Sequence, residues 1–184
     1  MAAEAPVLSD AQQSRLAAGE VVLVDALPPG AGRSAEGGTA LGIVRAPPET
    51  VWRILVDYRR HPEIYPRVVK ADVVEADERR VLVRYVASIW PLSFTFYMNK
   101  YPDAARRRIE WRLAEDRPNS LFRESSGYWQ VDPVEGGSLV TYALAVRTIL
   151  PAFVTRRPQR DSLVETVEAV RRRAQEASGS AATR

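Results

Sequence analysis

The stretch Pro48-Glu-Thr-Val-Trp-Arg-Ile-Leu-Val-Asp57-Tyr-Arg-Arg-His61-Pro62-Glu-Ile-Tyr-Pro66-Arg-Val68 decides the fold. It predicts a short amphipathic helix, a break, a second stub of helix, and entry into a strand. Pro47 and Pro48 stand in the first turn, where a missing N–H costs nothing. Val51, Leu55 and Tyr58 share one face at i, i+4, i+7, with Trp52 and Val56 beside them. His61-Pro62 ends the helix, because a residue before proline disfavours helical angles.

Downstream, parity takes over from helical spacing. Val81, Val83, Tyr85 and Ala87 oppose Arg80, Arg84 and Ser88. Phe94, Phe96 and Met98 oppose Ser93, Thr95 and Asn99. Ile109, Trp111 and Leu113 oppose Arg108, Glu110 and Arg112. Trp129 and Val131 oppose Glu124, Ser126 and Gln130, and Val140, Tyr142, Leu144 and Val146 oppose Thr141 and Arg147. Such alternation means one dry and one wet face on each strand. Short turns such as Asp77-Glu78-Arg79 and Glu135-Gly136-Gly137 favour an antiparallel meander over crossovers.

A final helix is expected over Asp161–Ala177, with Ser162 and Glu165 as a capping box. Leu163, Val167, Val170 and Ala174 form one apolar stripe, and Glu168 with Arg172 a favourable i, i+4 pair. Upstream, Leu8–Ala18 reads as a helix capped by Ser9, Glu20–Leu27 as a strand, 28–38 as a loop, and Thr39–Arg45 as a strand. The expected division is an N-terminal extension over 1–38, one domain over 39–178, and a disordered tail over 179–184.

Composition narrows the function classes. The 184 residues suit one domain. The absence of Cys removes disulfides, thiolate nucleophiles and zinc–thiolate sites. Only Lys70 and Lys100 are lysines, and the net charge is +3. The arginines are scattered among Asp and Glu, which argues against nucleic acid as a partner. Nothing calls for a cofactor or a metal. Met1-Ala-Ala-Glu-Ala-Pro6 lacks the basic and apolar regions of a signal peptide, but its small residues resemble the segment left after cleavage. The compartment therefore stays open: cytoplasmic, or periplasmic if a signal was removed. Oligomeric state stays open.

A sheet with one dry face must cover it. The dry face carries Val83, Tyr85, Phe94, Phe96, Met98, Trp111, Trp129, Tyr142 and Leu144. The covering stripe of Leu163, Val167 and Val170 looks too narrow to fill that concavity. The expected result is an apolar cavity lined by these twelve side chains, with a few polar tips, suited to a small molecule.

The order of elements resembles the helix-grip fold of the START-like (SRPBCC) superfamily. The local match is with its bacterial polyketide cyclase/dehydrase and coenzyme Q-binding branch. It rests on Ala46-Pro47, Val51-Trp52, Leu55-Val56-Asp57-Tyr58, Pro62 and Pro66-Arg67-Val68, with Gly127-Tyr128-Trp129-Gln130-Val131 and Thr141-Tyr142 later. The resemblance implies an α+β fold: a curved antiparallel sheet of about seven strands around a long C-terminal helix, with two short helices after the first strand. It also implies binding or transport of a lipid, sterol-like, quinone or polyketide-like molecule. An aromatase/cyclase-type enzyme and a protein-interaction module are the alternatives.

Individual candidates reduce mostly to scaffold. The only histidine, His61, reads as a helix-terminating surface residue, because no second His or Cys exists to complete a triad or a typical metal site. Asp57 reads as a cap on the following stub. Arg84, Arg112 and Arg147 belong to the wet face unless a strand bulge turns one inward. Arg171-Arg172-Arg173 reads as complementing the dipole at the helix end, with transient contact with an anionic membrane surface as the sharper alternative. No catalytic residue is assigned, and the reading leans against catalysis because the dry face offers chiefly Tyr tips.

Overall fold

The computed structural model describes residues 6–149 and 152–181, with the side chains of 152–159, 180 and 181 outside that description. Helix α1 spans Asp10–Ala17 and strand β1 Val22–Val24. Strand β2 spans Glu36–Val44, helix α2 Pro48–Val56, and a 3₁₀ helix Tyr58–Glu63. Strands β3 (Val68–Ala76), β4 (Val81–Ile89), β5 (Leu92–Asp103), β6 (Arg108–Leu113), β7 (Phe122–Val134) and β8 (Gly137–Thr148) follow. Helix α3, Ala152–Ala181, closes the chain.

All eight strands form one antiparallel sheet in the order β1-β2-β8-β7-β6-β5-β4-β3. The meander β3 to β8 follows from the short turns. At the tightest, Val134 pairs with Gly137 across Glu135-Gly136. Gly136 has φ 74° there, an angle that disfavours any side chain. β2 then returns beside β8, and β1 pairs with β2 at the sheet edge. The short strand within the N-terminal extension therefore joins the domain's sheet. Register shifts interrupt β3 after Val68 and Val73 and β7 after Phe122. Each such bulge adds twist, which curls the sheet toward the helical side.

The concave face holds the main core, and α3 lies against it. Leu163, Val167, Val170 and Ala174 are all at most 1 % exposed, as the stripe predicts. Burying each of the three larger side chains stabilises the fold by roughly 1.5–3 kcal/mol. The convex face has its own small cluster, in which Leu16 of α1 covers Val22 and Leu41. Ser9 caps α1, and its hydroxyl accepts from Gln12 N while the Gln12 side chain accepts from Ser9 N.

Several expectations change. α3 begins at Ala152 and not near Asp161, so Ser162 is inside the helix and does not cap it. Its carbonyl accepts a bond from Thr166 Oγ1 at 2.6 Å, the back-bonding open to a hydroxyl in a continuous helix. α3 runs through Ala181, and the rest of the expected tail, 182–184, lies outside the described residues. Arg171–Arg173 are consequently not at the helix end. Arg171 pairs with Glu168 and donates to Ile43 O, while Arg173 pairs with Glu63 and Glu176. Glu168 thus takes Arg171, not Arg172, as its partner. Asp57 is exposed at the junction of α2 and the 3₁₀ helix and makes no side-chain cap. Its main-chain carbonyl, accepting from Arg60 N, holds the turn instead.

Candidate functional site

Between the concave sheet and the helical side lies a cavity of about 200 Å³. β4 contributes Tyr85, Ala87 and Ile89, and β5 contributes Phe96, Met98 and Lys100. Trp111 comes from β6, Phe122 and Ser125 from β7, and Tyr142, Leu144, Val146 and Thr148 from β8. The segment after the 3₁₀ helix supplies Tyr65 to Val68, and Leu121 and Ser162 complete the wall.

Six residues expected at a cavity meet there: Tyr85, Phe96, Met98, Trp111, Tyr142 and Leu144. The other six, Val83, Phe94, Trp129, Leu163, Val167 and Val170, pack in the surrounding core. The reason is visible at β2. A Cβ added to Gly42 would lie 2.7 Å from Val167 Cγ1, and one added to Gly38 would lie 3.6 Å from Leu163 Cδ1. The apolar stripe of α3 is therefore seated on the glycines of β2, to one side of the cavity. Trp129 sits behind Tyr142, with ring centroids 4.2 Å apart and planes inclined by 20°. Trp111 stacks on the other side of this group at 5.6 Å from Tyr142. It lies flat against β7 because residue 127 is glycine: a Cβ there would stand 2.3 Å from Trp111 Cζ2 and 2.2 Å from Ala143 O.

His61 is not a surface residue. It is 2 % exposed, because the 3₁₀ helix turns it under α2. Its Nε2 lies 2.9 Å from Leu55 O, and its Nδ1 lies 2.7 Å from Tyr85 Oη. A carbonyl only accepts, so Nε2 carries the proton and Nδ1 accepts from the tyrosine hydroxyl. Burial, reinforced by the Lys100 charge, pulls the imidazole pKa down to about 3. His61 is thus held neutral and fixes the direction of the Tyr85 hydroxyl.

Lys100 is the group that the sequence reading missed. It is 3 % exposed, and its Nζ sits 4.5 Å from the Trp111 ring centroid, 5.4 Å from Tyr85 and 5.7 Å from Tyr65. Parity could have found it, since one further step along β5 from Phe94, Phe96 and Met98 reaches residue 100. Burial lowers its pKa to about 7. Tyr65 lies in the irregular segment before β3, where no periodicity marks it. Its hydroxyl accepts from Trp129 Nε1 at 2.8 Å. Burial pushes the hydroxyls of Tyr65, Tyr85 and Tyr142 well above the ordinary tyrosine value, so all three remain protonated donors at neutral pH.

The outer arginines stay outside. Arg84 pairs with Asp72 at 2.7 Å, and Arg112 and Arg147 are exposed. The β7 bulge turns Phe122 to the cavity, not an arginine. The arginine on the cavity wall is Arg67, at φ 73°, a strained conformation for a long side chain. Among the described residues no cluster of His, Asp and Glu could hold a metal ion. The arrangement can enclose an apolar body, donate hydrogen bonds from tyrosines, and present one buried amine.

Comparison with known proteins places this geometry. Residues 42–183 match the family described as polyketide cyclase/dehydrase and lipid transport. A search of curated proteins gave no match. Among solved structures, TTHA0849 of Thermus thermophilus is similar at 20 % identity and TM-score 0.67, covering 76 % of this chain and 97 % of that one. A STAR-related lipid transfer protein of Xanthomonas axonopodis is similar at 16 % identity and TM-score 0.65, covering 84 % and 98 %. The ZhuI aromatase/cyclase of a Streptomyces species is similar at 22 % identity and TM-score 0.54, covering 76 % and 86 %. At these identities the structures establish the shared helix-grip architecture. The residues matched to the family run from β2 through α3, the elements that enclose the cavity, and on that match the chain belongs to the polyketide cyclase/dehydrase and lipid transport family.

Proposed function

We propose that this protein binds and carries a hydrophobic small molecule in the cavity between the sheet and the helical side. The observation that carries the proposal is the cavity of about 200 Å³ enclosed by Phe96, Met98, Leu121, Phe122 and Leu144. Interiors are otherwise packed to crystal-like density, so a retained apolar space with a few convergent polar groups is the default candidate for a binding site. Family membership supports the same class of ligand. At the strand ends where the cavity approaches the surface, Trp90, Leu92 and Ile149 are exposed, which suits capture of an apolar molecule.

A second reading, an aromatase/cyclase-type enzyme, is favoured by the polar groups on the wall. Lys100, Tyr85 backed by His61, and Tyr142 could guide proton transfers. The carrier reading asks less of the chain, because no nucleophile–base pair faces the cavity.

The test uses a fluorescent apolar probe and native mass spectrometry. Phe96 stacks on Tyr85 at 5.4 Å and meets Phe122 edge-on at 4.9 Å. Phe96→Trp should fill the cavity, abolish probe uptake and leave a cooperative unfolding transition. Probe uptake equal to wild type would place the ligand elsewhere. An empty wild-type protein that takes up no probe would remove the carrier reading.

A further inference from the structure

Carriage of a plain apolar molecule gives Lys100 no role, and what its position implies rests on the carrier reading above. Lys100 projects from the middle of the sheet into an apolar cavity. Its Nζ is surrounded by the faces of Trp111, Tyr85 and Tyr65. Among the described residues it makes no ion pair and no hydrogen bond; Glu49, Glu63, Asp72 and Glu75 pair instead with arginines, or with Lys70, near the surface. Ring faces stabilise a cation only partly once it leaves water, and a buried amine without an anion is a costly arrangement. A plain lipid cavity would be served better by Met at this position.

Position adds a direction. In the sheet register Lys100 pairs with Trp111, far along β5 from Leu92, which pairs with Ile89 of β4 where the cavity nears the surface. Phe96 and Met98 line the path between. The Tyr142 hydroxyl also makes no hydrogen bond among the described residues, and Tyr142 lies against the same Trp111 ring. The site thus has an apolar channel ending in one amine and one tyrosine donor.

We propose that the natural ligand is an apolar carboxylic acid, bound with its carboxylate against Lys100 Nζ and its hydrocarbon body along Phe96, Met98 and Leu144 toward the strand ends. Two partners, an ammonium and a phenol, match the two oxygens of a carboxylate. The absent counter-ion is then supplied by the ligand. The lowered pKa of the free amine agrees with a site that becomes fully charged only when an anion enters.

The experiment compares decanoate and decanol by calorimetric titration against the full chain and against Lys100→Met. Decanoate should bind wild type at least roughly tenfold more tightly than decanol, as one charge-assisted bond requires. Lys100→Met should lose that preference and keep decanol binding, which shows that the cavity is intact. Equal binding of the two ligands to wild type overturns the proposal and leaves the carrier reading standing. A decanoate preference that survives in Lys100→Met also overturns it. Failure of both ligands, together with failure of the apolar probe, overturns both readings.

Discussion

The charge on Lys100 makes stability depend on pH in an unusual direction. In the unfolded chain the amine titrates near its ordinary value of 10.5, while burial lowers the folded value to about 7. Between these values the unfolded chain holds a proton that the folded chain has released. Stability therefore rises with pH across this window. The full slope is about 1.4 kcal/mol per pH unit. Near pH 7 half of the folded molecules still carry the proton, so the gain between about pH 7 and 9 comes to about 2 kcal/mol. Above the ordinary tyrosine range the sign reverses, because the folded values of Tyr65, Tyr85 and Tyr142 are raised and the unfolded chain ionises first. Urea unfolding followed by tryptophan fluorescence measures the effect. Wild type should gain about 2 kcal/mol between pH 7 and 9, and Lys100→Met should gain almost nothing. The variant should also be the more stable protein at pH 7, with the gap closing as pH rises. A wild-type midpoint that stays flat, or a Lys100→Met midpoint that climbs in parallel, would show that the amine is hydrated or paired, and the argument would fail.

Two further perturbations probe the walls of the cavity. His61 has its folded pKa lowered to about 3, so stability should fall as pH drops below its unfolded value of 6.5, by about 2 kcal/mol between pH 7 and 5. His61→Gln, which keeps an amide donor for Leu55 O, should flatten that slope, and an unchanged slope in the variant would exclude His61 as its source. Gly127→Ala would place a Cβ 2.2 Å from Ala143 O and 2.3 Å from Trp111 Cζ2. One contact is backbone and cannot yield, so the loss should reach about 3 kcal/mol or more, and a loss below about 0.5 kcal/mol by urea unfolding would mean that β7 is not held so closely.

How much of this was legible in the sequence depended on the kind of signal. Period-two alternation located Tyr85, Phe96, Met98, Trp111 and Tyr142 on one face, because every residue of a paired strand obeys the pleat. The same rule reached Lys100, but a charged residue at the end of an apolar run reads as the boundary of the dry face. A period assigns a face; it does not say how deep the face is buried. Depth comes from the neighbouring strands, and here β4 and β6 place aromatic rings on both sides of β5. His61 misled for a related reason. Pro62 does mark the end of α2, yet the chain continues as a 3₁₀ helix that tucks the imidazole under Leu55. That turn is tertiary and leaves no mark on local spacing.

The helix α3 shows the limit from the other side. Its stripe was read correctly, and all four stripe residues are buried. The expectation that Leu163, Val167 and Val170 line the cavity did not hold, because Gly42 lets the helix approach β2 closely. Glycine on a strand gives no side chain to count in a pattern, and its effect is to bring another element nearer. The approach of α3 to β2 draws the helix away from β4, β5 and β6, and the volume it leaves is the cavity. The apolar space is thus set by Gly42 on β2, one strand in from the sheet edge, as much as by the aromatics that line it. It also explains why Lys100 lies beneath rings and not beneath the helix: the amine occupies the part of the concave face that α3, seated on β2, does not reach.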